Sequence, residues 1–303
     1  MSLGLLFAGQ GSQHPQMLPW LDEGHPLVQR TNAMLDITDW RAALGNLAWA
    51  VGNRHAQVLL TGLGLAAWCQ LAARLPIPTA VAGYSVGELA AFSAAGVFDA
   101  TTALELAALR AHAMDRCAEH APGGLLSVSG LRRSVIDALC EAARVGVAID
   151  IDEETRVVGG PADRLEALAS RASELGAKVG LLGVSIASHM PSMQPAAEDF
   201  AVDLARVTLD APRLPLFCNA SGSRVSDGVQ AARLAAQQIA QTVRWSDVLE
   251  AMHAQRLACV LEIGPGSALA SMWNRRFPDV PARSADEFRS SDALVRWVDR
   301  HMR

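Results

Sequence analysis

The sequence is poor in cysteine and has no cysteine pair spaced for metal binding or redox chemistry. Its 303 residues include five cysteines, none of them in a Cys-x-x-Cys pair. A disulfide framework or a zinc site needs closely and regularly spaced cysteines, so the pattern argues against both. We expect instead buried thiols in a reducing, cytoplasmic compartment, at positions Cys69, Cys117, Cys140, Cys218 and Cys259.

The sequence also lacks an excess of basic residues. Its formal net charge is −5 at pH 7, and 19% of its residues are charged. Proteins that bind nucleic acid present basic faces to the phosphates. The composition therefore predicts no nucleic-acid partner.

Long hydrophobic runs are missing as well. The longest apolar stretch, Val58–Cys69, stops at Gln70, whereas a membrane-spanning helix needs about 20 apolar residues. The first residues, Met1–Phe7, have neither the basic start nor the long apolar centre of an export signal. We therefore expect a cytoplasmic protein without a membrane segment, in which 58–69 is part of a buried helix.

Half of the residues are apolar, and the apolar segments alternate between strand and helix patterns. Short apolar runs at 3–8, 79–82, 214–219 and 259–263 predict buried strands, and longer periodic stretches between them predict helices. Such alternation is typical of a parallel sheet covered on both faces. The sequence predicts the α/β class, with a large α/β-hydrolase-like domain.

A different pattern occupies residues 124–187. Predicted strands and helices follow one another there in the order β-α-β-β-α-β, which is the split βαβ arrangement of a ferredoxin-like module. Proline and glycine residues flank the segment, as expected for an insertion. We expect a large domain formed by 1–123 and 188–303, and a small ferredoxin-like subdomain formed by 124–187.

The segment Gly83-Tyr84-Ser85-Val86-Gly87 matches the G-x-S-x-G pattern of a nucleophile elbow. It lies between a predicted strand and a predicted helix, which is the context that such an elbow requires. A helix that starts directly behind a serine offers free N–H groups to a developing oxyanion. Ser85 is therefore the candidate nucleophile, although hydrolases and acyltransferases share this pattern.

A serine nucleophile needs a general base, and His189 is the best placed of the eight histidines. It stands where the inserted module ends and the chain returns to the large domain. A Gly-rich loop, Gly9-Gln10-Gly11-Ser12-Gln13, follows the first predicted strand. No Lys-Ser/Thr follows it, so a phosphate-binding P-loop is disfavoured, and its position suits an oxyanion donor instead.

Several motifs occur in one order along the chain: the 9–13 loop, the 83–87 elbow with Glu88, Arg110, Ser188-His189, and Glu262-Ile263-Gly264-Pro265-Gly266. Together they resemble the malonyl-CoA:acyl-carrier-protein transacylase family. The resemblance implies that Ser85 carries a malonyl ester, that His189 is the base, and that the backbone N–H groups of Gln10 and Val86 bind the oxyanion.

The resemblance further implies that Arg110 grips the free carboxylate of malonate, which a guanidinium fork can hold by two parallel hydrogen bonds. Gln10 and Arg244 are the other candidate substrate-binding residues. The chain departs from the family in having Tyr84 where a histidine commonly precedes the serine, and Arg244 where some members have glutamine. The segment Ile186-Ala187-Ser188 before His189 matches neither familiar selectivity signature cleanly.

Within the family, the segment 13–20 and the Gly83-Tyr84-Ser85 elbow are most similar to the transacylase (epsilon-type) subunit of malonate decarboxylase. This resemblance implies malonyl-CoA as substrate and an acyl carrier protein with a phosphopantetheine-type arm as partner. Other malonate decarboxylase subunits are further expected partners. The resemblance implies neither a metal nor a cofactor. The alternatives are a malonyl transacylase of fatty-acid or polyketide synthesis, a serine thioesterase or other hydrolase, and a non-catalytic scaffold that binds carrier proteins.

Overall fold

The computed structural model describes residues 2–184 and 186–302. Two sheets organise this part of the chain, and helices cover the larger one on both faces. The strands are β1 Leu3–Phe7, β2 Pro78–Gly83, β3 Gly124–Ser129, β4 Gly146–Asp150, β5 Thr155–Gly160, β6 Lys178–Leu181, β7 Leu216–Cys218, β8 Ser223–Val225, β9 Cys259–Ile263 and β10 Ala282–Ser284.

The helices account for most of the remaining chain, together with short 3₁₀ turns at Pro191–Met193 and Ala285–Glu287. In chain order the helices are α1 Pro26–Met34, α2 Trp40–Leu44, α3 Leu47–Ala50, α4 Asn53–Ala72, α5 Gly87–Ala94, α6 Ala100–His120, α7 Arg133–Ala143, α8 Ala162–Glu174, α9 Gln194–Leu204, α10 Gly228–Gln237, α11 Trp245–His253, α12 Ala268–Arg276 and α13 Ser291–His301.

The larger sheet has the strand order β10-β9-β1-β2-β7-β8. All neighbouring pairs in it are parallel except β7 and β8. Along β1, Leu5 and Phe7 pack into one hydrophobic cluster and Leu6 into another, because side chains of a strand alternate between the two faces. The predicted parallel sheet with both faces covered is confirmed.

The smaller sheet is antiparallel and has the strand order β4-β5-β3-β6. Helices α7 and α8 pack on one face of it, around a core that includes Ile136, Leu165 and Leu168. This topology matches the predicted ferredoxin-like module, and its strands all lie within 124–187. The boundaries of the two domains, 1–123 with 188–303 and 124–187, stay a prediction.

Some elements differ from the sequence expectations. The hydrophobic pattern of the sequence did not predict five elements, because each is short or only partly apolar. They are helices α1, α2 and α3 and strands β8 and β10. The apolar run in the sequence predicts the last strand of the small module over 178–184, whereas β6 ends at Leu181. In the part of the chain that the structure describes, no helix combines the length and apolar character needed to cross a membrane.

Helix α4 is buried on nearly all sides, as its apolar sequence indicates. It packs against α1, α5 and α6, and the expected buried segment 58–69 lies inside it. The carboxyl ends of the parallel strands meet at one edge of the sheet. The segments that follow β1, β2, β7, β9 and β10 therefore come together at that edge.

Glycine is required where β2 turns into α5. A Cβ atom on Gly83 would lie 2.1 Å from the backbone carbon and oxygen of Gly87, and one on Gly87 would lie 2.4 Å from the carbonyl oxygen of Phe7. Real Cβ atoms do not approach backbone so closely. The two glycines of the G-x-S-x-G pattern thus allow strand, turn and helix to cross in contact.

This crowding predicts opposite effects of two Gly→Ala substitutions. Gly83→Ala should lower the free energy of unfolding by about 3 kcal/mol, because no flexible side chain can move aside. Gly64→Ala in helix α4 should raise it by about 0.5–1 kcal/mol, because its Cβ would meet only Phe7 Cδ1 at 3.6 Å and alanine favours helix. Urea unfolding of both variants measures the difference; equal effects would contradict the close crossing.

Candidate active site

Ser85 occupies the turn between β2 and α5 with a left-handed backbone conformation, φ 53°. A non-glycine residue adopts this conformation at a cost of about 1–3 kcal/mol, and only where its surroundings fix it. The Ser85 N–H donates to Asn219 Oδ1 over 2.9 Å, and its carbonyl oxygen accepts from Gln238 Nε2 over 3.0 Å. Hydrogen bonds from both sides therefore hold the strained serine in place.

The Ser85 hydroxyl contacts the imidazole of His189, with 2.9 Å between Oγ and Nε2. The other ring nitrogen, Nδ1, lies 2.6 Å from the backbone carbonyl oxygen of Gln238. A carbonyl oxygen can only accept, so Nδ1 carries the proton and Nε2 is free to accept from the serine hydroxyl. This tautomer is the one that a general base needs.

The His189 side chain is buried, at 1% exposure. Its pKa is lowered to about 3, mainly by burial and also by the positive charge of Arg110. The hydrogen bond to the Gln238 carbonyl acts in the opposite direction. The imidazole is therefore neutral at pH 7. A neutral imidazole that contacts a serine hydroxyl can take up its proton.

The loop after β1 lies against the serine turn. The Tyr84 N–H donates to the carbonyl oxygen of Phe7 over 2.9 Å, and a Cβ on Gly9 would lie 2.7 Å from the Tyr84 carbonyl oxygen. Within residues 2–184 and 186–302, no hydrogen bond engages the backbone N–H of Gln10 or of Val86. The two predicted oxyanion donors are thus unoccupied.

Arg110 projects from α6 into the interior, with 2% exposure. Its Nη1 donates to Gln57 Oε1 over 2.7 Å and its Nη2 to Gln238 Oε1 over 2.8 Å. Among the residues that the structure describes, no carboxylate forms an ion pair with it. Burial lowers its pKa to about 10, so the guanidinium stays charged at pH 7 while only neutral amides contact it.

Sequence reasoning missed the polar residues that hold Ser85, His189 and Arg110 in place. Gln238 Nε2 also donates to Glu88 Oε2 over 2.7 Å, and the Asn219 N–H donates to Glu88 Oε1 over 2.6 Å. Asn219 Nδ2 donates to the carbonyl oxygen of Gly83 over 2.7 Å. Glu88 directly follows the elbow motif, which was a usable signal. Asn219 and Gln238 follow β7 and α10 and belong to no motif.

Glu88 is 2% exposed, and burial raises its pKa to about 8, although Asn219, Arg110 and Gln238 act in the opposite direction. The carboxyl group is therefore a weak counter-charge for Arg110 near neutral pH. It contacts Arg110 only through the intervening amide of Gln238. The positive charge of Arg110 is left largely uncompensated.

The Arg244 side chain bonds outside this group of residues, although its backbone N–H donates to the carbonyl oxygen of Asn219 over 2.9 Å. Its side chain is about half exposed, and its Nε donates to Asp247 Oδ2 over 2.7 Å. The part of the chain that the structure describes gives it no hydrogen bond with Ser85, His189 or Arg110. The glutamine that contacts His189 is Gln238, and the expected correspondence between Arg244 and the family's glutamine stays a prediction. A substrate-binding role of Arg244 stays a prediction.

Residues 5–287 match the acyl transferase domain family. This chain belongs to that family. It is 29% identical to the malonyl CoA-acyl carrier protein transacylase of Escherichia coli K12, over 93% of this chain and 95% of that protein. It is 30% identical to the protein of the same name from Mycobacterium bovis, over 97% of this chain and 99% of that protein.

Solved structures of acyl transferase family members are similar over nearly the whole chain. The malonyl CoA-acyl carrier protein transacylase of Coxiella burnetii superposes with a TM-score of 0.90 at 26% identity, over 100% of this chain and 98% of that one. A malonyl-transacylase in complex with a type II PKS acyl-carrier protein gives 0.89 at 26% identity, over 98% and 99%. The predicted acyltransferase class and fold are confirmed.

The low pKa of His189 predicts a pH dependence of stability. In the unfolded chain a histidine binds a proton near pH 6.5, whereas folded His189 binds one only near pH 3. The unfolded state therefore binds more protons between these values, and stability is lost as the pH falls below about 6.5. The wild type should lose about 1.4 kcal/mol per pH unit relative to His189→Asn.

Denaturant unfolding of both proteins between pH 4.5 and 7.5 measures this difference. The opposite dependence that Glu88 contributes is common to both proteins and cancels in the comparison. Parallel stability profiles across this range would contradict a neutral, buried His189.

Proposed function

We propose that this chain is a malonyl-CoA:acyl-carrier-protein transacylase with Ser85 as nucleophile and His189 as base. The observation that carries the proposal is a buried arginine without a carboxylate partner, linked through Gln238 to the Ser85–His189 pair. A buried charge is costly unless something pairs with it. An acyl group with a free carboxylate supplies the missing partner.

In the first half-reaction Ser85 Oγ attacks the thioester carbonyl carbon of malonyl-CoA while His189 Nε2 takes the hydroxyl proton. The negative charge on the carbonyl oxygen is stabilised by the N–H groups of Gln10 and Val86, which are free to donate. When the tetrahedral intermediate collapses, the carbon–sulfur bond breaks and His189 returns the proton to the CoA thiolate. Malonyl is left as an ester on Ser85.

In the second half-reaction the thiol of the carrier's phosphopantetheine-type arm takes the place of CoA. His189 removes the thiol proton, the thiolate attacks the ester carbonyl, and the same two N–H groups stabilise the oxyanion. Ser85 then leaves and recovers its proton from His189. No metal or redox group takes part in these steps.

Arg110 selects the acyl group in this proposal. Its guanidinium has five N–H donors, of which Gln57 and Gln238 take two. A malonyl carboxylate pairs with the guanidinium, whereas an acetyl group leaves its buried charge unpaired. The two amides fix the plane of the fork before substrate binds.

The carrier defines the biological setting. The relatives named above are malonyl CoA-acyl carrier protein transacylases. Their names support the fatty-acid alternative more than the malonate decarboxylase context. The similar structure in complex with a type II PKS acyl-carrier protein is compatible with the polyketide alternative. The decarboxylase context rests only on the resemblance of the segment 13–20 and the Gly83-Tyr84-Ser85 elbow. A cytoplasmic location and a carrier-protein partner are part of the proposal.

A thioesterase of the α/β-hydrolase type would need a late histidine near the serine. His253 ends α11 and stacks on Phe277, with ring centroids 4.0 Å apart. His301 ends α13, where its Nδ1 contacts the carbonyl oxygen of Trp297 over 2.8 Å. The base beside Ser85 is His189, which favours the transacylase.

The proposal predicts a malonyl ester on Ser85. After brief incubation with malonyl-CoA, intact mass spectrometry should show a gain of ~86 Da, the mass of a malonyl group replacing a proton, as expected for covalent catalysis. Ser85→Ala should show none. Ser170→Ala is the matched control, because Ser170 is exposed on helix α8 beside the small sheet and should leave the labelling unchanged.

Adding carrier then separates the remaining alternatives. A transacylase passes the label to a phosphopantetheine-bearing carrier, whereas a thioesterase releases free malonate without one. A fatty-acid acyl carrier protein and the small carrier subunit of malonate decarboxylase, offered in parallel, distinguish the two settings. Absence of any adduct on the wild type would contradict the proposal and leave the scaffold alternative.

A further inference from the structure

Asp286 joins three segments at the sheet edge where the active site lies. It belongs to the 3₁₀ turn that follows β10, and its side chain is 7% exposed. Its Oδ1 accepts from the Leu18 N–H over 2.6 Å, and its Oδ2 accepts from the Gly266 N–H over 2.7 Å. His14 Nε2 lies 2.9 Å from the same Oδ2.

The three segments follow adjacent strands. Strands β10, β9 and β1 are neighbours in the sheet, so the chain that leaves each of them emerges beside the others. Asp286 follows β10, Gly266 follows β9, and Leu18 and His14 follow β1. One nearly buried carboxylate therefore connects the exits of three parallel strands.

The segment after β1, residues 8–20 and called here the β1 loop, also carries the N–H of Gln10. A second contact ties this loop to the β9 exit, because a Cβ on Gly266 would lie 2.9 Å from Ser12 Cβ. The hydrogen bond from Gly266 to Asp286 thus fixes the surface on which Ser12 rests. Ser12 is only two positions from Gln10.

Backbone strain in the β1 loop shows that the Asp286 contact is needed. Leu18 is fully buried and has φ 47°, a conformation that costs a leucine about 1–2 kcal/mol. Such conformations persist only where the surroundings over-determine them. The bond from the Leu18 N–H to Asp286 is a constraint of this kind.

We propose that Asp286 is a positioning residue that sets the place of the Gln10 N–H relative to Ser85 and so controls the rate of Ser85 acylation. This inference rests on the proposed function, in which that N–H stabilises the oxyanion. Loss of one oxyanion donor typically costs about 10²–10³ in rate, and a displacement of about 1 Å costs about 10².

The direct test is Asp286→Asn, which keeps the shape of the side chain. Its amide oxygen can accept from only one of the two backbone N–H groups, and its NH₂ group then faces the other donor. We expect the rate constant for Ser85 acylation at saturating malonyl-CoA to fall about 10–100-fold. The malonyl-CoA concentration at half-maximal rate should not change, because the hydrogen bonds that Arg110 forms with described residues go to Gln57 and Gln238, outside the β1 loop.

Rapid-quench mass spectrometry supplies both the rate and the labelled fraction. A purely structural role would lower the fraction of protein that becomes labelled and leave the rate of each labelled site unchanged. The matched control is Ser290→Ala, which removes the N-cap of α13 nearby at a cost of about 1 kcal/mol. That variant should acylate at the wild-type rate.

His14→Ala is a second variant that keeps the test decisive if Asp286→Asn does not fold. Its side chain is 41% exposed, and its loss removes one of the three contacts to Asp286, so we expect a fall of about threefold. If the wild type acylates, an unchanged rate in folded Asp286→Asn would overturn the role of Asp286, and so would an unchanged rate in His14→Ala if Asp286→Asn does not fold. Absence of wild-type acylation would instead overturn the proposed function.

Discussion

The hydrogen bonds of Gln238 are the contacts on which the active site depends. Its backbone carbonyl oxygen receives the Nδ1 proton of His189, and its side chain bonds to Ser85, Glu88 and Arg110. Gln238 therefore fixes the tautomer of His189, binds the backbone of Ser85 from one side and orients the guanidinium of Arg110. Among the residues that the structure describes, no carboxylate bonds to the histidine, and a backbone carbonyl takes that part of a catalytic triad.

This arrangement explains why neutral groups surround Arg110. A carboxylate in place of Gln57 or Gln238 would form an ion pair with the guanidinium. The protein without substrate would then be more stable, because a buried charge without a partner is costly. It would also remove the attraction for a substrate carboxylate. The protein instead contacts its buried cation through amide oxygens, which orient the fork without cancelling its charge. In the proposed function, this arrangement costs folding stability at the place where the substrate carboxylate would bind.

The sequence predicted those parts of the site that local patterns encode. The turn at Ser85 is recognisable because an apolar strand, two glycines and a helix must follow one another for the backbone to cross itself. The module at 124–187 is recognisable because amphipathic helices and alternating strands have distinct periods. Asn219 and Gln238 could not be found in this way, because they reach Ser85 only through the tertiary fold.

The same holds for Gln238 and Arg244. No local pattern distinguishes a buried Gln238 from an exposed arginine a few positions later. Asp286 was equally hidden, since its importance comes from the adjacency of β10, β9 and β1 in the sheet. Sequence reasoning thus predicted the pairing of Ser85 with His189, which are in contact in the structure, but not the residues that hold this pair.

The central claim is that Arg110 selects malonyl because its charge is unpaired, and Gln57→Glu tests it directly. The substitution is nearly isosteric and places a carboxylate 2.7 Å from Arg110 Nη1, at the position of Gln57 Oε1. We predict that the ratio of Ser85 loading rates for malonyl-CoA over acetyl-CoA falls about tenfold or more, because the new ion pair replaces the substrate carboxylate. An unchanged ratio in a folded variant would contradict the account.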